Sequence, residues 1–367
     1  MILLLATLVI SACAPAAAGS VANPELPAPA VDAEPATPAT SPAAPASAAS
    51  AEPEPSGWGV EVVAQGLEIP WSIVFPSADR MLVSERTGAI REISAGVLNP
   101  QPVYIFDEVR AQDEAGLMGL ALHPDHQNNG YVYACYTVSG SGTDMITRVA
   151  RLTDDGTSLT FEQVILDDIP AARFHAGCRI QFGPDGMLYV STGDALNRDL
   201  PQDINSLAGK ILRVTPDGDI PADNPFPGSP VFSLGHRNPQ GITWDLASGR
   251  MFSSEHGPST FDGPPGGDEI NQIIPGGNYG WPLGSHDNVP AGTIGPLIQF
   301  TPAEAPASAL FYNDDALPFF EGNLFFGALR GEALVRVILN ETANGEISVA
   351  SEEKIIADVR QIGRAQV

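Results

Sequence analysis

The chain has 367 residues, with 44 Asp and Glu against 18 Lys and Arg and a formal net charge of −26. That balance excludes a protein that grips nucleic acid or an anionic membrane face, because both need basic side chains to meet phosphates. With 37 Gly and 34 Pro the chain is too punctuated for a helical bundle or coiled coil, and it is long enough to bury a core without a disulfide framework.

Residues 1–12 form an apolar run too short to span a bilayer, the pattern of a secretory signal. Ile10-Ser11-Ala12-Cys13 resembles a bacterial lipobox. Residues 1–13 are therefore expected to be a signal segment, with Cys13 acylated and the mature protein held by lipid at the periplasmic side or cell surface. No Lys or Arg precedes the run, and an ordinary signal peptide with an incidental Cys is the alternative. Residues 14–57 are dominated by Ala, Pro and Ser, with five acids and no base. Almost no large apolar side chain is present to offset the entropy of ordering, so this segment is expected to be a disordered linker. Without its five charges the remainder still carries −21, so the acidity belongs to residues 58–367.

From residue 58 onward one phrase recurs: a short β-rich run, a turn, and a second run. It appears in Arg80–Ile93, in Gly130–Tyr133 with Ile146–Leu152, and in Met187–Gly193 with Gly209–Val214. It returns in Arg250–Glu255 with Asp268–Ile273, and in Asn323–Leu329 with Ala333–Ile338. Pro184-Asp185-Gly186 and Pro216-Asp217-Gly218 supply turns, Pro fixing φ and Gly accepting positive φ. Five units at roughly 50–70-residue intervals fit radial repetition of small sheets, a β-propeller, better than a large β-sandwich. Cys135 lies in the strand-like Tyr131–Tyr136 and Cys178 follows shortly after His175. An exported protein can join such a pair, and two buried free thiols fit the sequence equally well.

The residues with chemical potential fall on the loops between units. His175, in Arg173-Phe-His-Ala-Gly-Cys178, is a candidate base for removing a hydroxyl proton near neutral pH. Asp194, in Ser191-Thr-Gly-Asp194, is a candidate carboxylate to orient it. Gly235-His-Arg-Asn-Pro-Gln-Gly241 places Arg237 and Asn238 in a rigid loop, where the guanidinium would polarise a carbonyl or hold a carboxylate. After the next strand, the carbonyls of Gly257 and Pro258 suit a hard cation such as Ca²⁺, with further oxygen donors at Asp268-Glu269 and an aromatic wall in Gly276–Trp281. Neither a GxGxxG after a strand nor a Walker loop occurs, so nicotinamide and P-loop sites are not expected.

Five segments occur in one order: Glu114–Asp125, the His175 segment with Gly183-Pro-Asp-Gly186, Gly235–Gly241, Ser254-Glu-His-Gly-Pro258, and Gly276-Gly-Asn-Tyr-Gly-Trp-Pro282. Together they resemble the soluble glucose/sorbosone dehydrogenase family, particularly its periplasmic aldose sugar dehydrogenases, over residues 58 to about 365. The resemblance implies an all-β, six-bladed propeller that binds pyrroloquinoline quinone (PQQ) and Ca²⁺. It implies oxidation of the C1 hydroxyl of an aldose to a lactone, with electrons passed to an acceptor other than NAD or oxygen.

Carried over by motif, His175 is the base, Asp194 its orienter, and Arg237 the group that binds the quinone oxygens, with Asn238 as a further donor. Glu114 lies near the substrate, Arg330 and Arg364 face the cofactor, and Gly257 and Pro258 give carbonyls to Ca²⁺. Glu269 and Tyr279 match a pair that binds a second, structural Ca²⁺. The sequence departs from the pattern near its end. Where the family carries two arginines one residue apart, only Arg364 remains and Gln366 takes the second place. The chain stops at Val367, before the strands that close the sixth blade, and a weakened cofactor wall is the expected consequence. A non-catalytic, cell-surface binding propeller of the same fold is the alternative function. A Ca²⁺-dependent lactonase would need channel carboxylates in place of the Arg237 loop.

Overall fold

The computed structural model describes residues 60–141 and 144–357. The signal segment, the linker, Cys13, Arg364 and Gln366 lie outside them.

Among the described residues, strands pair with their neighbours in sequence to form five antiparallel sheets. The first comprises β1 (Pro70–Ser77), β2 (Arg80–Glu85), β3 (Ala89–Ser94) and β4 (Val97–Leu98), with β5 (Tyr104–Ile105) also pairing β3. The second comprises β6 (Leu117–Leu122), β7 (Tyr131–Ser139), β8 (Met145–Asp154) and β9 (Leu159–Ala171). The third is β10 (Ile180–Phe182), β11 (Leu188–Thr192), β12 (Lys210–Val214) and β13 (Val231–Leu234). The fourth is β14 (Pro239–Trp244), β15 (Met251–Glu255), β16 (Asp268–Ile273) and β17 (Ile298–Phe300). The fifth is β18 (Pro306–Phe311), β19 (Leu324–Ala328), β20 (Ala333–Glu341) and β21 (Ile347–Ala357). First strands lie beside one another in chain order, β1 by β6, β6 by β10, β10 by β14 and β14 by β18. This is a β-propeller.

The described residues build five blades, and the six-bladed ring expected from the resemblance is corrected to that extent. Each of the five strand-pair units read in the sequence became one blade, and among the described residues no further unit occurs. The second strands stood out in the sequence because they are buried at nearly every position. β11, β12, β15 and β19 are buried at every position, which gives them continuous apolar or small-residue runs. The outer strands β9 and β21 are mostly exposed, so they read as loop.

The core lies between blades, and alternate residues of one strand serve different neighbours. On β15, Met251 packs with Tyr189, Ile211 and Trp244 of the third and fourth blades. Phe252 instead packs with Phe311, Leu324 and Phe326 of the fifth.

Cys135 on β7 and Cys178, just ahead of β10, form a disulfide across the second and third blades. The bond closes a separation of 43 residues in the sequence, and a loop of that length restricts the unfolded chain by about 4 kcal/mol. The doubly substituted Cys135→Ala, Cys178→Ala protein is therefore expected to unfold at markedly lower urea than the oxidised wild type. Equal midpoints and slopes for the two would contradict this.

Candidate functional site

An antiparallel blade brings the start of its first strand and the end of its second to the same rim. Glu114 precedes β6, His175 precedes β10, Asp194 follows β11, Arg237 and Asn238 precede β14, Gly257 and Pro258 follow β15, and Arg330 follows β19. Residues scattered over some 200 positions thus meet at one face. A cavity of about 80 Å³ opens there, bordered among others by Glu114, His175, Arg237, Gly257, Pro258 and Arg330.

His175 and Asp194 are in direct contact, with Nδ1 2.8 Å from Oδ1 and both side chains buried. The approach depends on Gly193, where a Cβ would stand 2.0 Å from the His175 carbonyl oxygen. His175 itself adopts a left-handed φ of 56°. Asp194 is held at its other oxygen by the Trp281 indole N–H (2.8 Å), and its Oδ1 also accepts the Leu196 backbone N–H (2.9 Å). An ionised carboxylate only accepts, so Nδ1 carries the ring proton and Nε2 is left as an acceptor. Nε2 has no hydrogen-bond partner among the described residues, and the ring borders the cavity. Phe261, 65% exposed, lies against the imidazole with ring centroids 5.8 Å apart.

The loop that carries Asp194 is braced from below. Lys210 is fully buried and donates to the carbonyls of Leu200, Pro201 and Ala208 at 2.7–3.0 Å. All three ammonium hydrogens are thereby used.

Glu114 ties three blades together, its Oε2 accepting the His175 backbone N–H (2.9 Å) and the Asn238 side-chain amide (3.2 Å). The Asn238 carbonyl oxygen in turn accepts from Gly177 N and from the Gln240 amide. Arg237 is buried, with Nε on Asp262 Oδ2 at 2.8 Å and Nη1 on the His256 carbonyl at 3.3 Å. Its guanidinium sits 5.5 Å above the Trp281 ring. Arg330 is exposed at the cavity edge, where its side chain makes no ion pair or hydrogen bond among the described residues.

Gly257 is pressed against the next turn, and a Cβ there would lie 2.3 Å from the carbonyl oxygens of Gly266 and Gly267. Asp268 secures the loop by accepting Gly257 N (2.8 Å) and Ala305 N (2.7 Å). That use of both oxygens leaves it a brace rather than an open donor. Pro258 is buried, and its carbonyl accepts Gly266 N at 3.2 Å. A second, small cavity of about 20 Å³ touches Gly257, Pro258, Glu255, Glu269 and Tyr279.

Glu255 and Glu269 are opposite one another on β15 and β16, and Gln299 is opposite Glu269 on β17, so the three share a face. Burial, reinforced by the charge of Glu255, pushes the Glu269 carboxyl well above the usual carboxylate range. Nearby Asn271 Oδ1 and Gln299 Oε1 are buried without a partner among the described residues. Tyr279 is already occupied, its hydroxyl donating to Gln272 O (2.6 Å) and accepting Ile274 N (2.9 Å). Burial pushes its phenol pKa up. Among the described residues, no group of three or more His, Cys, Asp or Glu is placed to hold a metal ion.

The family described as Glucose / Sorbosone dehydrogenase matches residues 67–365. The chain belongs to the glucose/sorbosone dehydrogenase family. It is 31% identical over 332 residues to the aldose sugar dehydrogenase YliI of Escherichia coli strain K12, covering 83% of this chain and 88% of that protein. Among solved structures it is similar to the PQQ-bound form of the aldose sugar dehydrogenase from Streptomyces coelicolor. That likeness has 37% identity and a TM-score of 0.68 over 78% of this chain and 82% of that one. It is also similar to an oxidoreductase (glucose dehydrogenase) from Thermus thermophilus, at 41% identity and a TM-score of 0.73 over 83% and 88% of the two chains. The family membership expected from five ordered motifs is therefore the one found.

Within this family member, three side chains of the site were not singled out by their sequence. Asp262 and Phe261 sit in the Gly/Pro-rich stretch 257–267, where Asp-Gly reads as turn punctuation. Trp281 was read as an aromatic wall, and its N–H bond to Asp194 spans 87 residues.

Proposed function

We propose that this protein is a PQQ-dependent dehydrogenase that oxidises the C1 hydroxyl of aldoses to the lactone, with Ca²⁺ beside the cofactor and electrons leaving to an acceptor other than NAD or oxygen. The observation that carries this reading is the unpartnered His175 Nε2 at a cavity that two guanidinium groups also border. PQQ, whose edge is lined with carboxylate and quinone oxygens, fits a wall whose positive charges are Arg237 and Arg330. When bound, it would supply the two-electron acceptor that no side chain provides.

The chain's own residues then have distinct tasks. His175 Nε2 takes the C1 hydroxyl proton. Asp194 keeps Nε2 free to do so and stabilises the imidazolium that forms, while Trp281 holds Asp194 in place. Arg237 is set by Asp262 and offers its remaining hydrogens to anionic oxygens, and Arg330 adds a second positive charge. Glu114 and Asn238 fix the His175 backbone relative to the Arg237 loop. The carbonyls of Gly257 and Pro258 are hard oxygen donors suited to Ca²⁺. Glu269, with the side-chain oxygens of Asn271 and Gln299 that have no partner among the described residues, makes an oxygen-rich wall suited to a second, structural Ca²⁺, whereas the Tyr279 hydroxyl is already spent. The disulfide supports an exported protein.

Titration of the protein with PQQ, followed by tryptophan quenching, tests the cofactor assignment. Saturable quenching in Ca²⁺ that weakens in chelator is the expected result. Binding indifferent to chelator would remove Ca²⁺ from the account, and no binding at all would remove PQQ.

A further inference from the structure

His236 lies in the same loop as Arg237 but takes no part in the chemistry above. It is fully buried, with Nδ1 2.9 Å from Glu255 Oε2 and Nε2 2.8 Å from Ser233 Oγ. Its ring is stacked on Tyr279 at 4.7 Å. Serine, histidine and carboxylate in this order have the connectivity of a nucleophilic triad. Ser233 and His236 are each 0% exposed, however, so no substrate carbonyl reaches the hydroxyl. A hydrolytic role is excluded by access.

The remaining contacts of Glu255 give the relay a different purpose. Its other oxygen, Oε1, accepts the backbone N–H groups of both Arg237 and Asn238, the latter at 3.2 Å. One carboxylate therefore holds three consecutive residues, 236 by its side chain and 237 and 238 by their backbone. Those residues are the crossing from β13 to β14, the link between the third and fourth blades. Two successive N–H groups converging on one oxygen fix the local backbone direction, and this direction sends the Arg237 side chain to Asp262 and Trp281 at the cavity.

We propose that Glu255 is the positioning residue of the cofactor cavity: it sets Arg237 and Asn238, and the buried His236 and Ser233 hold Glu255 in register. This inference rests on the reading of the cavity as a PQQ site. It assigns to Glu255 and His236 an effect on cofactor affinity, and none on proton removal by His175.

The test is PQQ binding by tryptophan quenching in wild type, Glu255→Gln and His236→Gln, all with Ca²⁺. Gln at 255 keeps the shape and an acceptor oxygen but removes the negative charge on which the two backbone N–H groups and the imidazole converge. The dissociation constant is expected to rise about 10- to 100-fold, as for outer-sphere partners that orient a binding group. Gln at 236 removes the imidazole bridge and leaves the two backbone contacts, so a rise of roughly 3- to 10-fold is expected, the worth of about one hydrogen bond. At saturating PQQ, the pH profile of turnover in both variants is expected to match wild type. A merely structural role would lower the folded fraction without changing the dissociation constant of what remains. Should Glu255→Gln fail to fold, His236→Gln carries the comparison. Wild-type affinity in the folded variants, or a displaced pH profile, would overturn the inference. Absence of PQQ binding in the wild type would instead overturn the cavity reading and this inference with it.

Discussion

His175→Gln is expected to lower kcat for aldose oxidation by about 10²- to 10⁴-fold, the usual worth of a positioned general base. PQQ should still bind, because no cofactor contact is assigned to this side chain. Glutamine has a size close to that of histidine and can still hydrogen-bond Asp194, so the packing under Phe261 survives. What it lacks is a site that takes up a proton near neutral pH. Steady-state kinetics at saturating PQQ and Ca²⁺ check this. A kcat within about threefold of wild type would show that some other group removes the hydroxyl proton.

Asp194→Asn is expected to cost a comparable factor, about 10²- to 10⁴-fold in kcat, through the imidazole rather than through lost volume. Three donors converge on this carboxylate: His175 Nδ1 and Leu196 N on one oxygen, and Trp281 Nε1 on the other. An asparagine satisfies at most one side. With its NH₂ toward Trp281, two donors face each other in a buried site, a conflict costing about 1–3 kcal/mol. With its NH₂ toward His175, Nδ1 becomes the acceptor, the proton moves to Nε2, and the base is blocked. PQQ affinity measured in parallel separates this from a collapsed cavity. Full activity in the asparagine variant would refute the assigned tautomer.

The propeller was legible in the sequence because the second strand of each blade is buried at nearly every position. Runs such as Leu188–Thr192 and Leu324–Ala328 announce themselves without alternation. The outer strands did not, since exposed residues in β9 and β21 carry the same polar composition as a loop. His175, Asp194, Arg237 and Gly257 stood out because they sit in short Gly- and Pro-bounded segments at strand ends, and the fold gathers those ends at one rim.

What the residues did not disclose is partnership over long separations. The Cys135–Cys178 bond, the Trp281–Asp194 contact and the Asp262 brace on Arg237 join segments whose proximity is set only when blades pack. Glu255 was visible within Ser254-Glu-His-Gly-Pro258, but its two backbone contacts depend on how the chain crosses from β13 to β14. Such contacts leave no periodicity to read.

The proposed reaction is oxidation of an aldose at C1 in the rim cavity, with PQQ as the electron acceptor. The most direct measurement is reduction of an artificial dye by the full chain loaded with PQQ and Ca²⁺, with a panel of aldoses and identification of the sugar product. Saturable, aldose-dependent dye reduction yielding the lactone is the predicted result. Protein that has bound PQQ yet reduces no dye with any aldose would contradict it, and would point to a propeller that keeps the cofactor site without the turnover.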